Sequence, residues 1–479
     1  MKKTKIIATV GPACQDPKVL KQLILEGVDV FRINASHSTI EGMASWFRLI
    51  RKTAGVMGRH IAVLVDLQGP RIRTGKIKGG PMILKTGSRV ILYVRSTSTP
   101  SKDLTVNCAE FCRMIKKSDP ILIDNGAVEM KVEKVGVGQV VCRVVRGGSV
   151  NDNKGINLPN APVTLPALTK KDLVDLKAAS LLQADYIALS FVRSKEDIVT
   201  IKTWMKKHRV QIPVIAKIEK PLAVKNLDSI MPLVGGVMVA RGDLGIEMGL
   251  EKVPRVQKII IEKAQEFQIP VITATQMLET MIDHSHPTRA EVSDIANAVF
   301  DGTDAVMLSG ETSVGKYPIE AVRTMRRIIN EAEESHEERP GIYDSDKDED
   351  LLSARLPAIA HAGLNAAREA HAKAIIIFTH TGRIAQHLSK LKPGCALYAA
   401  TSSERTLARM SLFRGVRPIY VEKSATFREM SQKTDAAMIR AGLLSRGDSV
   451  ILISGPWAFP GSLFMLAIHR AGDKPKQIP

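Results

Sequence analysis

Short apolar runs that end in polar residues recur along this chain, and eight of them share one texture. Each is rich in β-branched residues and too apolar for a strand with one wet face, which is typical of a buried parallel strand. Helix-like stretches such as 253–267 and 288–300 follow most of them. The runs lie at 6–9, 30–34, 62–66, 187–190, 214–219, 237–243, 271–276 and 305–311. Eight strand–helix units predict an α/β fold, a TIM (β/α)8 barrel with its chemistry at the carboxyl ends of the strands.

Two further regions interrupt and follow this pattern. Between the third and fourth runs the chain is β-rich and broken by glycines, which predicts a small inserted β-barrel domain able to act as a lid and exclude water. An acidic segment rich in helix breakers then leads into a C-terminal α/β domain, with strands expected at 374–378, 396–400, 418–421 and 449–454. The expected division is 1–69 and 167–340 for the barrel, 70–166 for the lid and 341–479 for the last domain.

The composition favours a globular protein of the cytoplasm. Hydrophobic residues make up 44% of the chain, yet no apolar run approaches the roughly 20 residues that span a bilayer. The basic start of the sequence runs straight into the first strand, without the apolar core of a signal peptide. The five cysteines are scattered, which favours reduced thiols in a reducing compartment. We therefore expect no membrane association.

The net charge of +19 first suggests a polyanion as partner. The basic residues are spread along the chain, however, and aromatic residues make up only 4% of it. No nucleic-acid-binding module is recognisable. A basic surface that attracts anionic metabolites is the favoured interpretation, and we expect no specific nucleic acid partner.

Ionisable residues cluster at the ends of the fifth and sixth runs. Lys217 and Glu219 are two residues apart on a strand, so their side chains point to the same face. The next run ends in Arg241-Gly242-Asp243, which places Asp243 on a neighbouring strand. Two carboxylates there suit Mg²⁺ or Mn²⁺ shared with a phosphate or carboxylate. The alternative for Lys217 and Glu219 is a buried ion pair inside the barrel.

Other strand ends carry candidates of the same kind. Thr275 lies at the polar end of the seventh run, where it would either cap a helix or aim its hydroxyl into the site. Arg32 faces the same way as Asn34 and could clamp a phosphate. Arg73 lies at the entrance to the inserted domain, and the tight turn at Pro12 is of a kind that approaches a nucleotide.

Taken together, these segments resemble pyruvate kinase in order and spacing over nearly the whole chain. The matching segments are Thr9-Val10-Gly11-Pro12, Arg32-Ile33-Asn34-Ala35-Ser36-His37, Gly69-Pro70-Arg71-Ile72-Arg73-Thr74, Lys154-Gly155-Ile156-Asn157-Leu158-Pro159, Lys217-Ile218-Glu219, Ala240-Arg241-Gly242-Asp243-Leu244-Gly245-Ile246-Glu247, Ala274-Thr275-Gln276-Met277-Leu278 and Leu308-Ser309-Gly310-Glu311-Thr312. The resemblance implies a phosphotransferase that converts phosphoenolpyruvate and ADP to pyruvate and ATP in glycolysis. It also implies a homotetramer with a regulatory C-terminal domain.

The resemblance assigns a role to each candidate on the substrate side. Glu219 and Asp243 would bind the divalent metal, and Lys217 and Arg32 would neutralise the phosphoryl group in flight. Thr275 would sit where the enolate receives its proton. The backbone N–H groups of Gly242 and Asp243 would hold the substrate carboxylate.

The resemblance also implies how the nucleotide binds. The turn at Pro12, His37 and Arg73 would contact ADP, and Lys154 would reach it from the lid.

The segment after the third run departs from the pattern of potassium-dependent relatives, which carry a glutamate where this chain has Arg71. Asn34, Ser36 and Asp66 could still offer oxygen ligands, but beside a permanent guanidinium. We therefore expect that K⁺ is not required. The alternative is that Arg71 points to solvent at the hinge of the lid.

A loop in the C-terminal domain resembles the effector loop of the family. It comprises Thr379, His380, Thr381, Gly382 and Arg383 at the start of an expected helix, with Trp457, Pro456, Pro460 and Gly461 as a facing wall. Hydroxyls and amides at a helix N-terminus suit a phosphate, and ordinary capping of that helix is the alternative. His380 stands where a lysine is common and Ile384 where a hydroxyl is common. This departure predicts an allosteric effector that is a sugar monophosphate or nucleotide rather than fructose 1,6-bisphosphate.

Two other functions stay open from the residues alone. One is a different barrel enzyme that uses the metal-bound enolate of pyruvate for carbon–carbon chemistry, which would need neither the ADP turn nor a lid. The other is a catalytically silent polyanion-binding protein, which would require loss of catalytic residues that this chain retains.

Overall fold

The computed structural model describes residues 2–95, 99–159, 165–335, 351–424, 426–455 and 464–473. The first third of the barrel consists of three parallel strands joined by two helices. These elements are β1 Lys5–Thr9, α1 Pro17–Leu25, β2 Val28–Asn34, α2 Ile40–Val56 and β3 Ala62–Asp66. Asp16 and Thr39 cap the two helices by accepting backbone N–H bonds, which explains why each helix begins where it does.

The inserted domain follows β3 and consists of short strands with its own apolar core. Its elements are β4 Met82–Leu84, β5 Arg89–Val94, β6 Leu104–Val106, α3 Phe111–Met114, β7 Pro120–Ile123, β8 Val128–Gly136, β9 Gln139–Arg146, β10 Gly148–Val150 and β11 Ile156–Asn157. Six of the strands form a sheet in the order β11-β7-β8-β9-β5-β6, and β10 pairs with β4. Buried and more exposed positions alternate along β7, β9 and most of β8, as expected for strands with one buried face.

The remaining five strands complete a closed parallel barrel. The elements are α4 Lys170–Leu181, β12 Tyr186–Leu189, α5 Lys195–Lys207, β13 Val214–Ile218, α6 Pro221–Lys225, α7 Leu227–Ile230, β14 Gly236–Ala240, α8 Arg241–Met248, α9 Val253–Glu266, β15 Val271–Ala274, α10 Arg289–Phe300, β16 Ala305–Leu308, α11 Gly310–Ser313 and α12 Pro318–Ser335. The strand order around the barrel is β1-β16-β15-β14-β13-β12-β3-β2. The barrel expected from the eight apolar runs is confirmed, and β12 to β16 are buried at every position except Lys217 on β13.

In two of the eight runs the polar tail belongs to a helix and not to the strand. Arg241 and Gly310 already belong to helices that begin directly after β14 and β16. The polar residues of those runs therefore lie in the first turns of helices at the barrel mouth.

The C-terminal domain is a second α/β unit packed against the base of the barrel. Its elements are α13 Leu351–Glu369, β17 Ala374–Phe378, α14 Arg383–Lys390, β18 Ala396–Thr401, α15 Glu404–Met410, β19 Val416–Tyr420, α16 Phe427–Arg440, β20 Ser449–Ser454 and β21 Met465–Arg470. The sheet order is β19-β18-β17-β20-β21. Sequence reasoning missed β21, an antiparallel edge strand that carries a short apolar run at 465–468 but lies outside the repeating strand–helix pattern. No helix within the described ranges is long and apolar enough to cross a bilayer.

Candidate active site

The end of β13 places Lys217 and Glu219 in a buried charge cluster at the barrel mouth. The Nζ atom of Lys217 lies 2.9 Å from Oε1 of Glu219 and 3.3 Å from Oδ1 of Asp66, and it donates a 2.9 Å hydrogen bond to Oγ of Ser190. Glu219 has no exposed surface, and its Oε2 accepts a 2.6 Å bond from the backbone N–H of Phe191. One ammonium therefore pairs with two carboxylates, from β3 and from the end of β13, the two strands on either side of β12.

The pKa directions in this cluster follow from burial and shared charge. Burial raises the pKa of Glu219; Lys217 opposes the rise and the nearby carboxylate of Asp243 adds to it. Burial alone would also raise the pKa of Asp66, but Lys217 and Arg32 outweigh it and hold that pKa below its ordinary value. For Lys217, Asp66 and Glu219 outweigh burial and raise the pKa, so the lysine stays charged.

Arg32 at the end of β2 is bound to the same cluster. Its Nε donates a 2.8 Å bond to Oδ2 of Asp66, and its Nη1 donates a 3.1 Å bond to Oγ1 of Thr9. The guanidinium is thus fixed before any ligand arrives, which reduces the entropy lost when it contacts a phosphate.

Thr275 adopts a left-handed backbone conformation with φ of 70°, which is a genuine outlier for a β-branched residue. Its Oγ1 accepts a 2.9 Å bond from the N–H of Gly242 in the first turn of α8 and donates a 2.6 Å bond to the carbonyl of Ala274, so the hydroxyl satisfies an N–H at the start of a helix that Thr275 does not itself precede. The buried guanidinium of Arg241 holds this turn by donating to the carbonyls of Thr275 at 2.7 Å and Gln276 at 3.1 Å. Strain retained in this way is typical of functional sites.

Asp243 lies in the first turn of α8 and is half-buried. Its Oδ1 lies 3.5 Å from Nη2 of Arg71. Gly245 lies two residues further along the same helix. A Cβ there would stand 2.7 Å from the side chain of Leu250, so glycine at this position allows close packing and does not face a ligand.

The residues expected at a monovalent-cation site are already engaged with the protein. Asn34 Oδ1 accepts a 3.2 Å bond from the N–H of Ser36. The ion pairs of Asp66 are with Lys217 and Arg32, while the guanidinium of Arg71 pairs with Asp243 instead.

The candidate nucleotide residues lie between the barrel and the lid. Arg73 donates a 3.0 Å bond to the carbonyl of Asn153, and Lys154 pairs with Asp124 at 3.0 Å. These two contacts hold the basic side chains of Arg73 and Lys154 at the edge of the lid. Pro12 begins a short 3₁₀ turn directly after β1.

His37 lies in a second 3₁₀ turn, after β2, and is surrounded by cations. Burial lowers its pKa, and Arg73 and Arg71 lower it further. Lys171 from α4 supports the same turn by donating a 2.7 Å bond to the carbonyl of Ala35. Such a concentration of positive charge suits the phosphates of a nucleotide.

Family profiles match almost the whole chain. The profile described as the pyruvate kinase barrel domain matches residues 1–322, and the one described as the pyruvate kinase alpha/beta domain matches residues 357–469. The chain belongs to the pyruvate kinase family.

Curated relatives and a solved structure agree with this membership. A pyruvate kinase of Mycobacterium tuberculosis (strain ATCC 25618 / H37Rv) is 39% identical over 470 residues, which cover 98% of each chain. A pyruvate kinase of Staphylococcus epidermidis (strain ATCC 12228) is 37% identical over 479 residues, covering 99% of this chain and 81% of the relative. A crystal structure of a pyruvate kinase from Cryptosporidium parvum has a TM-score of 0.89 at 32% identity, covering 98% of this chain and 96% of that one.

Sequence reasoning missed three residues that support the site of this pyruvate kinase family member. Arg241 holds the strained turn at Thr275, Ser190 binds the ammonium of Lys217, and Lys171 supports the turn of His37. Arg241 offered a signal, since an arginine that ends an apolar run is expensive to bury without partners. Ser190 carried the same signal as the other strand ends, since it is the polar residue that ends the fourth run, whereas Lys171 offered none, because its role depends on which elements become neighbours.

The loop expected from the sequence to bind an effector runs from the end of β17 to the start of α14. Gly382, with φ of 84°, precedes α14, and its N–H donates a 2.9 Å bond to Oγ1 of Thr379. A cavity of about 310 Å³ adjoins Thr379 and His380 and extends to Ser402 and Ser424. The expected facing wall at Trp457, Pro456, Pro460 and Gly461 lies outside the described residues.

Proposed function

We propose that this chain transfers the phosphoryl group of phosphoenolpyruvate to ADP, giving pyruvate and ATP. The observation that carries the proposal is the cluster at the barrel mouth, where Lys217 lies 2.9 Å from Glu219 and Arg32 is fixed on Asp66. Phosphoryl transfer depends mainly on positioning and charge stabilisation. A fixed set of cations beside two carboxylates serves that chemistry.

Glu219 and Asp243 fit a divalent cation. Both offer hard carboxylate oxygens, and the raised pKa of Glu219, with Asp243 among its causes, reflects two acidic groups that a cation would stabilise together. Mg²⁺ is usually held by one or two carboxylates together with substrate oxygens. When bound, Mg²⁺ or Mn²⁺ would supply charge neutralisation for the transferring phosphoryl group.

The remaining residues orient the substrate and move the proton. Lys217 and Arg32 contact the phosphoryl oxygens, and the N–H groups of Gly242 and Asp243 face the substrate carboxylate. The N–H of Gly242 donates to Thr275 in the free protein, so a carboxylate that takes this bond releases the threonine hydroxyl. We infer that the freed hydroxyl helps deliver the proton to the enolate carbon.

The nucleotide would bind between the barrel and the lid. Pro12, His37 and Arg73 form the barrel side of that site, and Lys154 forms the lid side. The lowered pKa of His37 keeps it neutral near pH 7, so the arginines carry most of the charge that attracts ADP.

The monovalent cation is not required in this proposal. Asp66 is already paired with Lys217 and Arg32, and Asn34 is bound to the backbone of Ser36. The guanidinium of Arg71 supplies a fixed positive charge near the metal-binding carboxylate of Asp243.

Regulation and assembly follow the family. A sugar monophosphate or nucleotide would bind with its phosphate at Thr379, His380, Thr381, Gly382 and Arg383, and the chain would act as a homotetramer. Activation strongest with fructose 1,6-bisphosphate would contradict the effector assignment, and a monomer in light scattering would contradict the assembly.

The catalytic proposal is tested by a coupled assay for pyruvate. Purified protein with phosphoenolpyruvate and Mg²⁺ should form pyruvate and ATP in equal amounts when ADP is present, and almost none without ADP. Pyruvate formed at the same rate without ADP would indicate a different enolpyruvate enzyme. No turnover together with a nucleic-acid mobility shift that survives moderate salt would indicate a binding protein.

A further inference from the structure

Glu247 is a buried carboxylate near the barrel mouth that the proposed chemistry does not use. Its side chain is 1% exposed, and its Oε1 accepts a 2.6 Å bond from Nζ of Lys220 and a 2.9 Å bond from Nδ2 of Asn157. Its Oε2 is buried without a hydrogen-bond partner among the described residues. A buried carboxylate oxygen without a hydrogen-bond partner lowers the stability of the fold. We therefore look for the role of Glu247 in the segments that it connects.

Glu247 connects the two segments that carry the metal-binding carboxylates. It lies on α8 one turn after Asp243, and residues four apart occupy the same helix face. Lys220 directly follows Glu219 at the end of β13 in an extended conformation, so the two side chains point to opposite sides. The pair of Glu247 with Lys220 therefore bridges the backbones of Glu219 and Asp243 behind the site.

The same carboxylate also reaches the lid. Asn157 belongs to β11, the last strand of the inserted domain, and its amide is buried against Glu247. Lys220 lies 5.9 Å from the ring centroid of Phe191, whose N–H binds the carboxylate of Glu219. Glu247 is thus the point where the lid, the strand end and the helix meet.

We propose that Glu247 is a positioning residue. Its bond with Lys220 sets the separation of Glu219 and Asp243, and its bond with Asn157 aligns the lid with these two carboxylates. This inference rests on the proposed function, because it takes Glu219 and Asp243 as the ligands of the divalent cation. Partners behind metal ligands fix ligand orientation, and their loss typically costs about 10–100-fold in metal affinity.

The primary test is Mn²⁺ binding to the full-length protein without substrates, followed by the electron paramagnetic resonance signal of free Mn²⁺. Glu247→Gln keeps the size of the side chain and removes the ion pair, and it should weaken Mn²⁺ binding by roughly tenfold or more. Glu26→Gln is the matched control, since Glu26 forms ion pairs with Arg323 and Arg326 away from the mouth. This variant should bind Mn²⁺ like the wild type. Mn²⁺ affinity of Glu247→Gln equal to that of the wild type would overturn the proposal.

Substitutions of the partners separate positioning from general loss of packing. Lys220→Met should weaken Mn²⁺ binding as Glu247→Gln does, Lys220→Arg should restore it, and the double variant should be no weaker than either single one. Asn157→Leu should leave Mn²⁺ affinity unchanged but raise the KM for ADP, because it breaks only the contact with the lid. Equal Mn²⁺ losses in Lys220→Met and Lys220→Arg would overturn the role of the bridge. If the wild type itself bound no Mn²⁺ and made no pyruvate, the proposed function would fail instead.

Discussion

The two ends of the barrel use buried carboxylates differently. At the base, Asp185 and Asp304 each precede a strand and accept the backbone N–H that opens the neighbouring strand, from Val63 and Val271 respectively, both at 2.7 Å. Each also binds one cation, Arg51 for Asp185 and a buried lysine of α14 for Asp304. Every one of these carboxylates therefore has a dedicated backbone donor and a dedicated counter-charge.

At the mouth, charges are shared and the backbone is strained. Lys217 serves both Asp66 and Glu219, and Thr275 is held at a φ of 70°. Structural ion pairs are completed within the protein, whereas the groups of a catalytic site are arranged for a ligand. In TIM barrels the carboxyl end carries catalysis and the amino end carries stability. Changes at the mouth should accordingly alter activity most, and changes at the base should alter stability most.

The largest effect is expected for Lys217→Met at the mouth. Loss of one charge contact to the transferring phosphoryl group should cost roughly 2.7–4 kcal/mol, or a hundredfold or more in kcat. Mn²⁺ binding should persist, because Glu219 and Asp243 remain. The coupled pyruvate assay measures the first effect, and the resonance signal of free Mn²⁺ measures the second.

Two comparisons sharpen this prediction. Glu219→Gln or Asp243→Asn should instead raise the Mg²⁺ concentration needed for half-maximal activity. Lys390→Met, at the base, removes a buried lysine that also pairs with a carboxylate and should leave kcat nearly unchanged. A Lys217→Met enzyme within about tenfold of wild-type activity would refute the role of Lys217.

A loss of stability without loss of function is expected for Asp304→Asn at the base. The amide can still accept the N–H of Val271, but it leaves the ammonium of Lys390 buried without its counter-charge. Breaking a buried ion pair typically costs about 3–5 kcal/mol. Urea denaturation followed by circular dichroism should show a lower midpoint, and kcat at low temperature should stay close to wild type. A fall in kcat as large as that of Lys217→Met would contradict the division between the two ends.

A smaller effect at the mouth concerns potassium. Turnover should be nearly the same in buffer free of K⁺ and Na⁺ as with saturating KCl at matched ionic strength. A further cation at Asp66 would lie beside Lys217 and Arg32, which already pair with that carboxylate, and two unit charges at 4 Å repel by roughly 4 kcal/mol with an effective dielectric near 20. Arg71→Glu should lower activity, and K⁺ should partly restore it. Strong activation of the wild type by K⁺ would overturn the prediction.

The barrel and its catalytic end could be predicted from sequence because both depend on local pattern. Buried parallel strands read as continuous apolar runs, and their polar ends converge whatever the details of packing. The spacing of Lys217 and Glu219 already placed both side chains on one face. The edge strand β21 was not found in this way although its residues 465–468 are apolar, because it pairs antiparallel and lies outside the repeating strand–helix pattern.

Which charged side chains pair with each other could not be predicted from the sequence. Arg71 was expected beside Asp66, but its guanidinium pairs with Asp243, and Arg32 takes its place at Asp66. Which cation meets which carboxylate depends on the path of the hinge between barrel and lid, and long side chains reach several partners from one backbone position. The strain at Thr275 was equally invisible, since it follows from contacts made by Arg241.

The smallest expected effect concerns the pH dependence of ADP binding through His37. Burial and the neighbouring arginines hold its pKa below the ordinary value near 6.5. The folded protein therefore binds fewer protons at this site than the unfolded chain, and the site costs stability as the pH falls from about 6.5 towards the lowered pKa.

Bound ADP reverses that bias, because its phosphates favour the charged imidazole. Between the lowered pKa of the free protein and the higher pKa of the complex, ADP binding takes up a proton, so ADP affinity gains as the pH falls. The glutamine of His37→Gln cannot take up a proton, so this variant should lack the His37 contribution to proton uptake on ADP binding. Isothermal titration of ADP in two buffers of different ionisation enthalpy, at pH values on either side of about 6.5, measures the uptake directly. Equal proton uptake in wild type and His37→Gln would place the titrating group elsewhere at the mouth, and the cation cluster around His37 would then act on ADP through its arginines alone.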